Sequence, residues 1–281
     1  MRIRYSFSSR KTGRIEGTSH HHIAFPRLVK EIIRTSDIIL EILDARFIEK
    51  TRNKELEKYV LEEGRKLIFI LNKADLIDIN ELKKNVDLSE LKPYVLFSTK
   101  EKIGRSKLRT LLKIEAKRLH LPKGKKARIG IIGYPNTGKS SLINLLAGRA
   151  SAGVSTKPGF TRGIQKIRFS KNIVLLDTPG VVPEREDFAR GMGIIKKHAE
   201  IGVETYERVK NPDFVVAKLM QEYPNVFEKF YGINAEGDAE ILLEELGRKR
   251  RFLAKGGKVD VDKTARIVLK DWQTGKIKPK A

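Results

Sequence analysis

Gly133-Tyr-Pro-Asn-Thr-Gly-Lys-Ser140 is the stretch on which the fold turns. It fits the pattern GxxxxGK[ST]. An apolar run, ARIGII (127–132), precedes it, and an amphipathic segment, SLINLLAG (141–148), follows. Strand, glycine-rich turn and helix in that order form a phosphate cradle. Glycines let backbone N–H groups converge on phosphate oxygens without a Cβ in the way, and the helix N-terminus adds its dipole. Lys139 is placed to neutralise β- and γ-phosphates, and Ser140 offers a hydroxyl to Mg²⁺. Pro135, Asn136, Thr137, Gly138 and Ser141 complete the cradle.

Downstream, the apolar run NIVLL ends in Asp177-Thr-Pro-Gly180. An Asp at the carboxyl end of a strand can hold the Mg²⁺ shell, and the Gly180 N–H can meet a γ-phosphate. Upstream, the apolar run KLIFIL ends in Asn72-Lys73-Ala74-Asp75. A carboxylate there can accept from the ring N1–H and the exocyclic amine of guanine, a donor pair that adenine lacks. Lys73 can lie along the purine face, and Asn72 can tie this loop to the phosphate loop. Four residues alone read equally as a helix cap. The same holds for Ser98-Thr99-Lys100, whose backbone N–H fits the guanine carbonyl.

Apolar runs and helix-compatible stretches alternate along most of the chain. Runs at 38–43, 67–71, 94–97, 127–132 and 173–176 predict buried strands. Segments from Pro26, at 52–64, 79–91, 103–119 and 139–148, predict helices. The fold class is therefore α/β, a mostly parallel sheet flanked by helices. QKIRFS (165–170) pairs with the strand that ends at Asp177. Beyond about residue 185 strand signals stop; 187–208, 212–222, 236–254 and 261–272 predict a small all-helical C-terminal domain. The expected division is a basic arm (1–22), an α/β domain (23–185) with a basic linker (117–128), and a helical domain (186–281).

The chain has 281 residues, with 58 Lys and Arg against 35 Asp and Glu, a formal charge of +23. So large an excess favours a polyanionic partner. Basic residues gather in 2–30, 117–128 and 248–280, and the last stretch holds twelve Lys or Arg against three Asp. Arg248-Lys249-Arg250-Arg251 on a helix can follow an RNA backbone. For Tyr231, Phe252 and Trp272, core packing is the stronger reading than base stacking. There is no cysteine, which excludes disulfides, Cys-zinc sites and thiol catalysis. No window approaches a membrane span and no leader pattern opens the chain, so a cytoplasmic protein without membrane contact is expected. A monomer is the default.

The elements all belong to the P-loop GTPase fold, but their order is rotated. Such domains ordinarily run phosphate loop, switch threonine, DxxG, NKxD, SAK. This chain runs NKAD, STK, GYPNTGKS, switch threonine, DTPG. That is a circular permutation, feasible because the ends of a compact α/β domain lie close together. The linker 117–128 would join the former ends. With the segment ILDAR (42–46) and stretches such as YPNVFEKFYGI and LGRKRRFLAKGGKVD, the chain resembles the YlqF/RbgA-type circularly permuted GTPases over His20 to Lys276. Its sequence character suggests an archaeal member. Residues 1–19 match nothing in that pattern.

The resemblance implies GTP and GDP as ligands, and a GTPase that is slow without a ribosomal activator. It implies work on rRNA and the precursor of the large ribosomal subunit. The alternative is a nucleotide-gated RNA-binding module with negligible turnover. Within PGFTRG, Thr161 would be the switch threonine that ligates Mg²⁺ with Ser140 and Asp177; a plain turn threonine is the competing reading. Val181 and Val182 stand where Ras-type enzymes place a water-orienting glutamine. Catalysis then falls to Lys139, to Asn136 if it holds K⁺, and to His22 or, one residue earlier, His21. A solvated histidine cluster is the plainer reading of those two. For Asp44 and Arg46 a structural ion pair outweighs a catalytic role. The second switch, 177–186, leads into the helical domain, so γ-phosphate contacts at Gly180 are expected to bias that domain.

Overall fold

The computed structural model describes residues 19–148, 165–178, 180, 182 and 192–279, with side chains from Arg27 onward except Gln165 and Met192. Helix α1 spans Ser19–Thr35 and leads into β1, Ile38–Asp44. The helices α2 (Ile48–Thr51) and α3 (Lys54–Glu62) precede β2, Lys66–Asn72. Next come α4 (Ile79–Asn85), β3 (Tyr94–Leu96) and α5 (Arg105–Arg118). The phosphate-loop unit is β4 (Ala127–Ile132) and α6 (Lys139–Ala147), followed by β5 (Gln165–Ser170) and β6 (Ile173–Asp177).

The six strands form one sheet in the order β3-β2-β1-β4-β6-β5. All neighbours are parallel except β5, which runs antiparallel to β6. β1 shows why its sequence reads as an unbroken apolar run. Ile38, Leu40 and Ile42 enter the core shared with α5 and α6. Ile39 and Leu43 enter the opposite core, with Val29 and Ile33 of α1 and Val60 of α3. Both faces of the strand are covered, so no position is left for a solvated residue.

The one carboxylate within that run is Glu41, fully buried. Its Oε1 accepts the Asn53 N–H at 3.0 Å, at the entry to α3. Its Oε2 has no hydrogen-bond partner. Burial first, and the nearby Glu57 charge second, hold the Glu41 carboxyl well above the usual carboxylate range. A pKa raised by folding favours the neutral form. The associated stability is present at low pH and is lost as pH rises from the unfolded value of about 4.3. Glu41→Gln keeps an acceptor for Asn53 and removes the ionisation. Its melting temperature relative to the natural chain should therefore climb by several degrees between pH 5 and pH 9, read by circular dichroism.

The remaining helices are α7 (Met192–Ile201), α8 (Pro212–Glu222), α9 (Val226–Tyr231), α10 (Ala239–Lys249) and α11 (Val261–Gln273). They bury Val215, Leu219, Leu242, Leu246, Leu269 and Trp272, and the same cluster takes in Phe47 and Tyr134 from loops at the sheet's edge. The helical unit thus shares its core with the α/β part.

Some boundaries differ from the sequence reading. The stretch expected as an arm to residue 22 is helical from Ser19. α7 ends at Ile201, because Gly202 turns left-handed. The helix expected over 79–91 stops at Asn85, and Asp87 instead caps a short turn through Ser89. Helix α9 was not expected; its six residues are too short for a periodic signal. The predicted basic helix face ends at Lys249, and Arg251 is left-handed beyond it. Trp272 and Tyr231 are buried, as their apolar bulk suggested. Among the described residues no helix is long and apolar enough to cross a membrane.

Candidate nucleotide site

In a parallel sheet the carboxyl ends of the strands converge on one edge, where ligands bind. Here β1 ends at Asp44 and β2 at Asn72, paired in register. β3 leads to Ser98, β4 to Gly133 and β6 to Asp177. The candidate loops, scattered over the sequence, therefore meet at this edge.

The phosphate loop is shaped by left-handed conformations at Asn136 (φ 59°) and Gly138 (φ 100°). Such turns aim consecutive backbone N–H groups into one concavity. Thr137 is buried, and its hydroxyl donates to the Tyr134 carbonyl at 2.9 Å. Lys139 is also buried; its Nζ donates to the carbonyls of Gly133 (3.1 Å) and Tyr134 (2.6 Å). Burial pushes the Lys139 ammonium down to about 8, against the pull of Asp177. An ammonium held this way is a strong counter-charge for phosphate, because little water needs to leave it. Pro135 is buried beneath Gly180, where a Cβ would lie 2.6 Å from the Pro135 Cα. Only glycine fits this approach, which sets the Gly180 backbone against the phosphate loop. Ser141 is half-buried on the first turn of α6.

Asp177 and Ser140 meet beside the loop. The Ser140 hydroxyl donates to Asp177 Oδ2 at 3.1 Å. Asp177 Oδ1 is buried with no hydrogen-bond partner. Burial, opposed by Lys139, raises the Asp177 carboxyl above its usual range. A buried carboxylate oxygen without a donor, next to a serine hydroxyl, suits a hard dication such as Mg²⁺. Thr161 lies outside the described residues.

The candidate base-reading loop is built on both sides. Asn72 Nδ2 donates to the Thr137 carbonyl at 2.7 Å, joining it to the phosphate loop. The Ser98 hydroxyl donates to Asp75 Oδ1 at 2.6 Å and accepts from the Glu101 N–H at 2.9 Å, which fixes the carboxylate's orientation. Ser98 therefore caps no helix; Gly104 occupies the cap of α5. Thr99 and Lys100 form the turn beyond, with Lys100 exposed. Lys73 is left-handed (φ 62°), and its Nζ bonds Asp44 Oδ2 at 2.7 Å. Its methylene stem remains the part that can lie along a purine.

Asp44 and Arg46 form the buried ion pair that the sequence favoured, at 2.8 Å and 3.0 Å. Burial opposes ionisation of Asp44, but Lys73 and Arg46 together hold its carboxyl well below the usual range. Sequence alone gave no sign of what the pair supports. Arg46 also donates to the Trp272 carbonyl at 3.1 Å. Nearby, Gly275 (φ 78°) packs on Leu76, where a Cβ would lie 2.4 Å from Leu76 Cδ1. The candidate base-reading loop is thus braced from behind by the turn that follows α11.

Two further contacts join the phosphate loop to the helices. Asn136 Nδ2 donates to the Gly202 carbonyl at 2.6 Å. Tyr134, fully buried, leaves the loop to enter the helical core, with the Lys197 ammonium 5.4 Å from its ring centroid. Tyr134 fills a variable position of the phosphate-loop pattern, so no sequence signal marked it. His21 and His22 lie in α1, but their side chains are outside the described ones.

Comparison with known proteins fits this geometry. Residues 128–230 match the model of the 50S ribosome-binding GTPase family. The structure of GNP-bound YlqF from Thermotoga maritima aligns over 89% of this chain and 94% of its own, with a TM-score of 0.63 and 25% identity. The chain has the circularly permuted P-loop GTPase fold seen in YlqF. An uncharacterized GTP-binding protein of Methanocaldococcus jannaschii is 39% identical over 89% of this chain. Nucleolar GTP-binding protein 2 of Neurospora crassa is 36% identical over 88% of it. The chain spans 65% and 40% of the lengths of those two relatives.

Proposed function

We propose that this chain binds GTP and GDP, hydrolyses GTP slowly, and serves assembly of the large ribosomal subunit by binding rRNA. The observation that carries the nucleotide reading is the 2.7 Å bond from Asn72 to Thr137. It joins a base-reading loop to a phosphate loop that comes later in sequence. The family description, a 50S ribosome-binding GTPase, and a relative named for the nucleolus support the ribosomal reading. The excess of basic residues supports RNA as the partner.

In this mechanism Asp75, oriented by Ser98, accepts the two guanine donors. The loop N–H groups and Lys139 hold the phosphates. Mg²⁺, held by Ser140, Asp177 and Thr161, would offset negative charge on the β- and γ-phosphates. The Gly180 N–H reports the γ-phosphate, and the neighbouring Val182 packs on the helical core, so nucleotide state reaches those helices. No glutamine follows Gly180, so water must be positioned by another group. His22 or His21 fits that role by residue type, and the Asn136 carboxamide oxygen fits a K⁺ ligand.

Calorimetry tests the first step: GDP should bind with a dissociation constant at least about 100-fold below that of ADP, because Asp75 meets no donor pair on adenine. Equal affinities would refute the nucleotide assignment. Turnover measured with and without large subunits tests the second. Stimulation is expected; its absence would favour the alternative, an RNA-binding module whose nucleotide only holds one conformation.

A further inference from the structure

The opposite edge of the sheet, where β4 and β6 begin, carries a second concavity of about 370 Å³. It is lined by Lys113 and Lys117 of α5, His120 and Lys125 of the linker, and Lys171 of the β5–β6 turn. Ile173, the first residue of β6, lies in its wall. With a rise of about 3.3 Å per strand residue, it sits roughly 15–20 Å from the phosphate loop. It is therefore separate from the nucleotide site.

Three properties set it apart from ordinary solvated lysines. First, no carboxylate lines it. The nearby Glu115 is taken by Arg118 at 2.7 Å. Second, its lysines make no ion pair among the described residues, whereas Lys50, Lys73, Lys196 and Lys276 each meet an acid. Third, the charges come from three segments held in place. Leu119 and Leu121 pack on the sheet core. The Lys125 N–H donates to the Pro122 carbonyl at 3.0 Å, and the Ala127 N–H to the Asn172 carbonyl at 2.9 Å.

Gathering like charges into a fixed concavity costs repulsion, which a polyanion removes. The site has no glycine-rich loop and no acid to read a base or ribose, so it is not a second mononucleotide site. Its apolar lining, Ala116, Leu121 and Ile173, is buried or half-buried within the concavity and is not the exposed apolar face that an anionic lipid surface requires. We propose that this cavity is a subsite for the phosphodiester backbone of RNA, created where the linker joins the former chain ends. This inference rests on the RNA-binding reading above and gives it a location.

The test is binding of a 20-base-pair RNA duplex to the full chain, followed by fluorescence anisotropy at several KCl concentrations. The variant Lys113→Glu/Lys117→Glu/Lys171→Glu should bind at least about tenfold more weakly at 100 mM KCl. Its salt slope should be shallower by about 2–3, at roughly 0.9 per lost phosphate contact. The milder Lys113→Gln/Lys117→Gln/Lys171→Gln should show the same direction, and GDP affinity should hold in both. A control with the same charge change at exposed positions, Lys83→Glu/Lys84→Glu/Lys229→Glu, should lose less than threefold. Equal loss in control and cavity variants, or full binding by the cavity variants, overturns the subsite while leaving RNA binding intact. Failure of the natural chain to bind the duplex overturns the RNA reading and the subsite with it.

Discussion

Asp75→Asn should lower affinity for GDP by about 10²–10⁴-fold and raise affinity for xanthosine diphosphate. Two hydrogen bonds to a charged acceptor are each worth about 1.5–3 kcal/mol; the variant sets its amide donor against the guanine amine and leaves the N1–H bond to a neutral acceptor. Xanthine carries a carbonyl where guanine carries an amine. Asn can accept from N1–H through its oxygen and donate to that carbonyl through its nitrogen. The substitution is mild for the fold, because an amide oxygen still accepts from the Ser98 hydroxyl, now at 2.6 Å from Asp75. Calorimetry with both nucleotides checks it. Unchanged GDP binding would mean that this loop does not read the base.

Arg46→Ala should destabilise the chain by about 3 kcal/mol, lowering the melting temperature by roughly 6–12 °C. The guanidinium is buried, pairs with Asp44 and bonds the Trp272 carbonyl. Its loss leaves Asp44 buried with Lys73 as its remaining cation, at 2.7 Å. Adding Asp44→Asn to Arg46→Ala should recover part of the loss, because the uncompensated charge is gone. The pH dependence has a definite sign. Lys73 and Arg46 depress the Asp44 carboxyl against its burial, so the pair's contribution is present above the ordinary carboxylate value and fades as pH falls below it. Arg46→Ala should flatten that acid-side decline. Thermal melts from pH 3 to 7 check both statements, and an unshifted melt at pH 7 would contradict the bracing role.

Much of the fold was legible because its signals are local. Buried parallel strands write themselves as apolar runs ended by a polar residue, and the five parallel strands lie where such runs fall, while antiparallel β5 falls on the alternating QKIRFS. The loops carry short patterns whose chemistry is set by residue type, as at Lys139, Ser140 and Asp177. Their meeting at one edge follows from the parallel sheet. Legibility failed where a residue's role depends on partners far along the chain. Asp44 and Arg46 read as an ion pair, but nothing local pointed to Trp272 as the third member. Tyr134 occupies a position that the phosphate-loop pattern leaves open, so its passage into the helical core left no trace. Glu41 hid in an apolar run, because the Asn53 N–H that justifies it belongs to another element. Likewise Asn136 read as a phosphate-loop residue and a K⁺ ligand, and its bond to Gly202 depends on how the helices dock.

The Arg46–Trp272 bond spans 226 residues, which gives the molecule a schedule. On the ribosome that synthesises it, the segment carrying Asn72 and Asp75 emerges early. It waits until the α11 stretch clears the exit tunnel before its rear support can close. The nascent chain can lay down strands and even the phosphate cradle in that interval. The rear support of the candidate base-reading loop therefore arrives late in the protein's own translation, supplied by a helix made long after the loop itself.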